Sequence, residues 1–376
     1  MQVVIRYYLN NQTSSQILFE YLTFFFYKAG CKGIIDIGDY MRKTIVSVAK
    51  ELKLAPSTVS KVINHKGNVS KATRERVLKY VKEVGYIQDA SARTLKSKRS
   101  YTLGILFSDI SLVGLEHPFY SSVLQAFKNY AEKESYEIIF VVSKVGEREM
   151  SYLEWCKHKR VDGVLMVSGN LNNPYIVELV KSDIPCVSTD FIKENLITII
   201  SDNEQGIDLS IEHATGLNRF DIDIITGPMT SLAFQLRTEH FQALLKKADR
   251  PHFLIEAKGF GYQAGYDAAI RLIEQATRVP NYVVVNSDDL AFGAIRGFES
   301  KGYKVPDDIS VIGFDDVNFA KIYSPALTTI RQDKKAIGEM AAKKLIEMIN
   351  EKLDKYTEVI KIPVQLVERA STKIKL

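Results

Sequence analysis

The sequence has few of the residues on which disulfide scaffolds and metal centres depend. Only three of its 376 residues are cysteines, Cys31, Cys156 and Cys186, and their spacing fits neither a disulfide framework nor a metal-ligand motif. The six histidines form no HxxxH pair. We therefore expect no metal site and no cofactor, and the scarcity of cysteine fits a reducing, cytoplasmic compartment.

The sequence also lacks an apolar run long enough to span a bilayer. The segment QILFEYLTFFFYKAG near the amino terminus is short and interrupted, with neither the basic start nor the cleavage site of a secretory signal. We expect no membrane association. Because Gly38-Asp39 can be encoded as a ribosome-binding site, we expect Met41 to be the native start. A loosely docked extension of residues 1–40 is the alternative.

Catalytic signatures are missing as well. The sequence contains no Walker-type loop and no nucleophile–base–orienter set, so we do not expect an enzyme. The segment GFGYQAG has the wrong glycine spacing for a dinucleotide-binding loop, and we predict a turn at the start of a helix. The chain ends soon after LVERASTKIKL without the leucine heptads of a tetramerisation helix, which favours a homodimer.

Charge is distributed very unevenly along the chain. Residues 41–100 contain fifteen Lys and Arg against four Asp and Glu, a net charge of +11. Residues 101–376 contain 32 against 38, a net charge of −6. A small, strongly basic module joined to a larger, mildly acidic body favours a polyanion as the partner of the module.

Three short helices are predicted within the basic module. Apolar residues recur at helical spacing from Thr44, Pro56 suits the first turn of a second helix, and Ser70 suits the N-cap of a third that ends at Gly85. This arrangement is typical of a helix-turn-helix bundle. The positions expected to face its core are Ile45, Val48, Ala49, Leu52, Val59, Val62, Ile63, Val77, Leu78, Val81 and Val84.

Beyond Ser100 the pattern changes to strands alternating with helices. Continuous apolar strands between amphipathic helices predict a doubly wound parallel sheet, and the number of strands suggests two such sheets. Ligands bind at the carboxyl ends of strands in this architecture, where polar residues occur here. The predicted strands are TLGILFS, YEIIFVVS, VDGVLMVS, IPCVSTD, IDIITG, PNYVVVNSD and ISVIGFDD.

Two separated blocks of the sequence resemble one known family. TIVSVAKELKLAPSTVSKVIN…VSKATRERVLKYVKEVGY…ASARTL is similar to the DNA-binding end of lactose/galactose-repressor (LacI/GalR) transcription factors. NSDDLAFGA…VPDDISVIGFDD…PALTTIRQD is similar to the far end of their sugar-sensing core. The resemblance covers Lys43 to Ser371. It implies an all-α helix-turn-helix head and an α/β two-lobed core, like that of periplasmic binding proteins.

The resemblance also implies a division of the chain. After the extension of residues 1–40, we expect a helix-turn-helix domain at 41–87, a hinge helix and linker at 88–99, and an effector-binding and dimerisation core at 100–376. The N-lobe of the core is expected at about 100–200 and 331–358, and the C-lobe at about 202–329 and 360–376.

The resemblance places DNA contacts in the head. The second helix of the family enters the major groove, and Ser57 and Lys61 lie one turn apart, so one helical face presents a hydroxyl and an ammonium to base edges. For each serine or threonine, a simple cap or a solvent-facing hydroxyl is the alternative. The matching positions are Thr44, Pro56, Ser57, Thr58, Ser60, Lys61, Asn64, Ser70 and Thr73.

The family has a short hinge helix that forms when a dimer sits on its operator, and DASARTL matches it. There, Leu95 is expected to wedge into a minor-groove base step, with the small Ala92 against base edges. A helix this short is unstable alone, so DNA and a partner subunit should order it. Gln88-Asp89 departs from the usual Pro-Asn, and a linker leucine packed on the core is the alternative for Leu95.

The resemblance implies a sugar-type effector in the core. Asp190, Arg237 and Asp315 offer paired hydrogen bonds to hydroxyls, and Phe260 offers an aromatic platform. Strand-end caps and ordinary core packing are the alternatives, and we expect Asp288 and Asp316 to be structural. The matching effector positions are Phe119, Asp190, Arg237, Phe260, Ser287 and Asp315.

Together these features predict a sequence-specific DNA-binding regulator, a repressor of carbohydrate-utilisation genes. It would bind a near-palindromic double-stranded operator as a homodimer, under control of a sugar or sugar derivative bound between the lobes. The alternative within DNA regulation is a global carbon-catabolite regulator controlled by a phosphorylated carrier protein. A sugar-binding transport protein conflicts with the basic module and the missing signal peptide, and a sugar-converting enzyme lacks a catalytic constellation.

Overall fold

A computed structural model describes residues 44–63, 67–86, 99–107, 114–169 and 172–374. The chain forms two compact units, one before residue 93 and the other from residue 93 onward. The extension 1–40, Asn64, and the hinge segment with Asp89, Ala92 and Leu95 lie outside the described residues. Within the described ranges, no helix combines the length and apolar character needed to cross a membrane.

The head contains the three predicted helices, α1 (Ile45–Glu51), α2 (Pro56–Ile63) and α3 (Lys71–Glu83). The prediction for Leu78 is wrong, because this side chain follows Val77 by one position, points away from the core and is 38% exposed. Arg76 on α3 donates to the Leu52 carbonyl at 2.7 Å and so ties the end of α1 to α3. The buried core of the head consists of Val48, Ala49, Val59, Val62 and Val77.

The second unit contains two six-stranded sheets, and the sheet order defines two lobes. The first sheet, the N-lobe, has the order β13-β7-β6-β5-β1-β2, and all its strand pairs are parallel. Its strands are β1 (Thr102–Phe107), β2 (Glu137–Val141), β5 (Gly163–Ser168), β6 (Cys186–Ser188), β7 (Ile197–Ser201) and β13 (Glu358–Ile362). Its helices are α4 (Pro118–Lys133), α5 (Tyr152–Lys159), α6 (Pro174–Lys181) and α11 (Lys334–Glu351), and β3 (Lys144–Val145) and β4 (Arg148–Glu149) form a small hairpin.

The second sheet, the C-lobe, has the order β14-β12-β11-β10-β8-β9 and is parallel except for the antiparallel pairing of β14 with β12. Its strands are β8 (Ile222–Thr226), β9 (Leu254–Glu256), β10 (Tyr282–Val285), β11 (Ser310–Asp315), β12 (Thr328–Gln332) and β14 (Val364–Val367). Its helices are α7 (Asn203–Gly216), α8 (Leu232–Lys247), α9 (Tyr262–Gln275) and α10 (Asp288–Ser300). The predicted turn in GFGYQAG is confirmed, since α9 follows its N-cap Gly261.

Each lobe has two apolar cores, one on either face of its sheet, as a doubly wound fold requires. In the C-lobe, α9 and α10 pack with their backbones unusually close. A Cβ on Gly293 would lie 1.8 Å from the Tyr262 carbonyl oxygen, and a Cβ on Gly265 would lie 2.0 Å from that of Leu290. Glycine is therefore required at both positions by the approach of the two helices.

The chain crosses between the lobes three times. The crossings lie between β7 and α7, between β12 and α11, and between β13 and β14. The last of them comes after Ile362, a few residues later than expected, because the whole of β13 pairs with β7 in the N-lobe sheet. Crossing 1 is Ser201–Asn203, crossing 2 is Gln332–Lys334 and crossing 3 is Ile362–Val364.

Candidate functional site

A cleft that is partly open to solvent is lined by residues of both lobes. Its walls come mainly from strand ends and helix starts, where doubly wound sheets bind ligands. All six residues predicted for the effector line this cleft, although they are separated by up to almost 200 positions in sequence. They are Phe119, Asp190, Arg237, Phe260, Ser287 and Asp315.

Arg237, on α8, is almost completely buried and held in one orientation. Its Nε donates to the Asn203 side-chain oxygen at 2.7 Å, and its Nη1 donates to the Asn286 carbonyl at 2.5 Å. The guanidinium carbon lies 3.4 Å from the centroid of the Phe314 ring. Burial lowers the pKa of Arg237 to about 10, and the carboxylate of Asp315 partly opposes that shift. The group stays charged at neutral pH.

Asp315 is the last residue of β11, and its backbone has φ +136°, a value that residues other than glycine rarely adopt. Hydrogen bonds from two neighbouring side chains hold Asp315 in this conformation. Gln332 donates to its carboxylate, and the Lys334 ammonium donates to its carbonyl. A carboxylate fixed at the cleft wall in this way is pre-organised to accept hydrogen bonds from ligand hydroxyls.

The N-lobe contributes Asp190 and Phe119. Asp190 follows β6, and its carboxylate accepts from the Gly169 amide at 3.2 Å. Phe119 lies in the first turn of α4 and meets the Tyr120 ring edge-on at a centroid distance of 5.4 Å. Tyr120 also lines the cleft. The N-lobe wall therefore combines one carboxylate with an aromatic surface.

The C-lobe supplies a second aromatic surface. Phe260 stacks with Phe234 at a centroid distance of 5.9 Å and an interplanar angle of 26°. Ser287 follows β10 and caps α10, with its hydroxyl accepting from the Leu290 amide at 3.3 Å. The hydroxyl of Ser287 is thus partly used by the fold, whereas the aromatic face can cover the apolar side of a sugar ring.

Two further carboxylates near the cleft serve the C-lobe itself. Asp288 accepts from the Val317 amide at 2.9 Å and from the Thr329 hydroxyl at 2.5 Å. Burial, together with the neighbouring Asp315, raises the pKa of Asp288. Asp316 forms ion pairs with Arg331 at 2.6 Å and Arg369 at 2.5 Å. These contacts are structural, as expected for both residues.

The cleft also contains residues that sequence reasoning missed. Ser201 and Asn203 flank crossing 1, Gln332 begins crossing 2, and His117 caps α4. Ser201 and Gln332 are the last residues of β7 and β12, and Asn203 follows β7; neither strand was predicted. The rule that polar residues at strand ends line the ligand crevice would have found them once these strands were recognised. No cluster of three potential metal ligands occurs among the described residues.

The head presents several of the predicted DNA contacts at its surface. Thr44 caps α1, with its hydroxyl accepting from the Ser47 amide at 3.2 Å, and Ser70 caps α3, accepting from the Thr73 amide at 3.3 Å. Ser57 and Lys61 are exposed on α2, whereas Thr58, Ser60 and Thr73 are half-buried. The apolar face of α2 packs inward through Val59 and Val62, so its opposite face remains available.

Both the head and the core of this chain are similar to known proteins. Residues 44–89 match the family described as bacterial regulatory proteins, lacI family, and residues 213–372 match a periplasmic binding protein-like domain. The ribose operon repressor of Halalkalibacterium halodurans is 32% identical, over 88% of this chain and 97% of that protein. Catabolite control protein A of Priestia megaterium is 28% identical, over 89% and 100%.

Comparison with solved structures gives the same family. The crystal structure of the Lac repressor dimer bound to operator and the anti-inducer ONPF aligns with a TM-score of 0.72 and 26% identity, over 88% of this chain and 99% of that one. Head, two-lobed core and their order therefore all match, and the chain belongs to the lacI family of bacterial regulatory proteins.

Proposed function

We propose that this protein represses carbohydrate-utilisation genes by binding an operator as a homodimer, and that a sugar in the cleft controls that binding. The convergence of Asp190, Arg237 and Asp315 with two aromatic surfaces in one cleft carries the proposal. Two carboxylates and one guanidinium complement adjacent hydroxyls, and aromatic rings complement the apolar face of a sugar. No metal, cofactor or catalytic step is part of it.

In this proposal the head reads the operator. Ser57 and Lys61 on the exposed face of α2 contact base edges, and the helix-start hydroxyls of Thr44, Ser70 and Thr73 position phosphates. Thr58, Ser60 and Asn64 complete the family-matched contacts. Because these contacts include several phosphates, operator affinity is expected to fall steeply with salt concentration.

Exposed apolar side chains support a homodimer. Phe140 and Val142 are exposed at β2, the outermost strand of the N-lobe sheet. On the C-lobe, Phe319 packs edge-on against Phe292, and Ile322 is 77% exposed. Clustered apolar groups on the surface of a folded protein mark interaction sites. A second copy covering both patches would make the paired heads match a near-palindromic operator.

The sugar would act by changing the angle between the lobes, and a ligand shifts such an equilibrium only through its differential affinity for the two states. Thermal-shift screening of sugars and sugar phosphates, followed by gel shift of the operator with each hit, tests the proposal. D-ribose is the first probe because a ribose operon repressor is among the relatives. A protein that prefers no DNA site in a randomised pool, with or without sugars, would contradict it.

Leu95 provides a separate test of DNA recognition. The Leu95→Ala substitution is expected to weaken operator binding far more than binding to random DNA, because a wedge unstacks bases only at the specific site. Leu353→Ala is the control, because Leu353 lies in the second unit and is 41% exposed. It should change neither the affinity for the operator nor the affinity for random DNA. Equal losses on both DNAs would remove the wedge from the mechanism.

A global catabolite regulator remains the second candidate, since Catabolite control protein A is among the relatives. Titration of operator binding with a phosphorylated carrier protein, in parallel with the sugar panel, separates the two. A response to the carrier alone would favour the second candidate.

A further inference from the structure

Asn203 connects a cleft residue with the first crossing between the lobes. Its side chain is 3% exposed and uses both ends of its amide. The Nδ2 group donates to the Ser201 carbonyl at 3.0 Å, and Oδ1 accepts from Arg237 Nε at 2.7 Å. Arg237 therefore cannot shift without displacing a group that is bonded to the backbone of crossing 1.

Gln332 makes the equivalent connection for the carboxylate. It is the last residue of β12 and stands at crossing 2, with its side chain 6% exposed. Its Nε2 donates to the Asp315 carboxylate, and its Oε1 accepts from the Ser201 hydroxyl at 2.5 Å. Lys334, on the far side of the same crossing, donates to the carbonyls of Asp315 and Asp316.

Both links meet at Ser201, whose carbonyl accepts from Asn203 while its hydroxyl donates to Gln332. The first turn of α7 extends the arrangement to crossing 3, because Gln205 accepts from the Val364 amide at 2.9 Å. The charged groups of the cleft are thus bonded, through one amide each, to the segments that must bend when the lobes move.

We propose that Gln332 and Asn203 are positioning residues that transmit occupancy of Asp315 and Arg237 to the crossings. A ligand hydroxyl on either charged group reorients the amide behind it, and the opposite end of that amide moves the chain at Ser201. This proposal deepens the proposed function, because it assigns the residues through which a ligand in the cleft would change the lobe angle.

The first experiment needs no ligand. Asp315→Asn perturbs the ligand-facing carboxylate, and hydrogen exchange measured by mass spectrometry follows peptides spanning 197–206 in the full-length protein. Because it replaces the charged acceptor of Gln332 Nε2 with a neutral one, the substitution is expected to speed exchange there about 5-fold in the wild-type background, but less than about 2-fold in Gln332→Leu. Equal increases in both backgrounds, or none in the wild type, would overturn the proposal.

Two variants separate transmission from general loosening. Ser210→Ala removes an equally buried hydroxyl that donates to the Gly206 carbonyl within α7 at 2.8 Å, and it should leave the effect of Asp315→Asn intact. Ser201→Ala should abolish that effect, and Ser201→Thr, which retains a hydroxyl, should restore it. Failure of Ser201→Thr to restore transmission while it folds normally would also contradict the proposal.

A second experiment uses D-ribose and the operator. Where ribose changes operator affinity of the wild type, Gln332→Leu should change operator affinity less than about 2-fold at ribose concentrations that calorimetry shows to be saturating for that variant. A retained response in this variant would contradict the transmission. A wild type that responds to no sugar would contradict the proposed function, and the exchange experiment would still decide the role of Gln332.

Discussion

The two lobes of the core have related topologies but bury different chemistry. Among the described residues of the N-lobe, the buried polar side chains are all hydroxyls, as in Ser188 and Thr198. The C-lobe buries charged side chains, namely Arg219, Asp223, Arg237, Asp288 and Asp315. Burying a charge has a large unfavourable free energy unless hydrogen-bond partners are fixed around it. The C-lobe must therefore hold partners in place around these groups. Two of these charged groups, Arg237 and Asp315, line the cleft, whereas the N-lobe wall offers Asp190 beside the aromatic rings of Phe119 and Tyr120.

The largest expected effect tests whether buried charge holds the C-lobe together. Arg219 is 2% exposed and donates to carbonyls of five residues, namely Asn281, Pro306, Asp307, Asp308 and Lys373. Arg219→Ala would leave these acceptors unpaired and is expected to lower the free energy of unfolding by about 3–5 kcal/mol, measured in urea. Arg271→Ala, at a half-buried arginine that donates to the Glu256 carbonyl at 2.7 Å, is the control and should cost less than about 1 kcal/mol. Similar losses of stability for both variants would mean that the hydrogen bonds of Arg219 to the five carbonyls do not stabilise the C-lobe.

The next effect compares the two lobes at the cleft. Asp315→Ala is expected to reduce sugar affinity about 100-fold, since a pre-organised, charged hydrogen bond is lost, and to abolish the effector response while operator binding persists. Asp190→Ala, on the N-lobe wall, should reduce affinity only about 10-fold. Calorimetry and operator gel shifts measure both quantities. Equal losses would show that recognition is shared between the lobes, and unchanged sugar sensitivity would remove Asp315 from the site.

A smaller effect concerns pH. Burial and the Asp315 carboxylate raise the pKa of Asp288, so the folded state favours the protonated form. Stability from a raised carboxyl pKa is present at low pH and is lost as pH rises from about 4 through the raised pKa. Asp288→Asn should therefore make the free energy of unfolding fall less between pH 5 and pH 8 than in the wild type. An identical pH dependence would show that Asp288 is ionised without cost.

The smallest effect is expected in the N-lobe, whose core contains two buried thiols. Burial raises the pKa of Cys156 and Cys186 to about 12 each, so both remain neutral at pH 8. A neutral, buried thiol is a poor nucleophile. Neither cysteine should react with iodoacetamide in the native protein, while both should react in urea, as measured by mass spectrometry. Rapid native alkylation of either would show that the N-lobe opens readily.

Much of the fold was predictable because long, strongly apolar segments have few alternatives. The seven predicted strands and the three helices of the head are confirmed. The strands β3, β4, β7, β9 and β12 to β14 were not predicted, since they are short or contain polar residues and gain their order from pairing with neighbouring strands. Because β7 and β12 were not predicted, the cleft residues Ser201, Asn203 and Gln332 at their ends were not found from the sequence.

The amino-acid sequence alone determined the basic helical head and the doubly wound character of the core, because periodicity depends only on neighbours along the chain. The six effector positions in the cleft were implied by the family resemblance. Tertiary structure decided which of the polar strand ends face one another and which polar side chains are already hydrogen-bonded within the fold. Asp288 and Asp315 are both carboxylates at strand ends, yet one is consumed by Val317 and Thr329 while the other lines the cleft. That difference arises from hydrogen bonds between distant segments, which only the folded chain brings together.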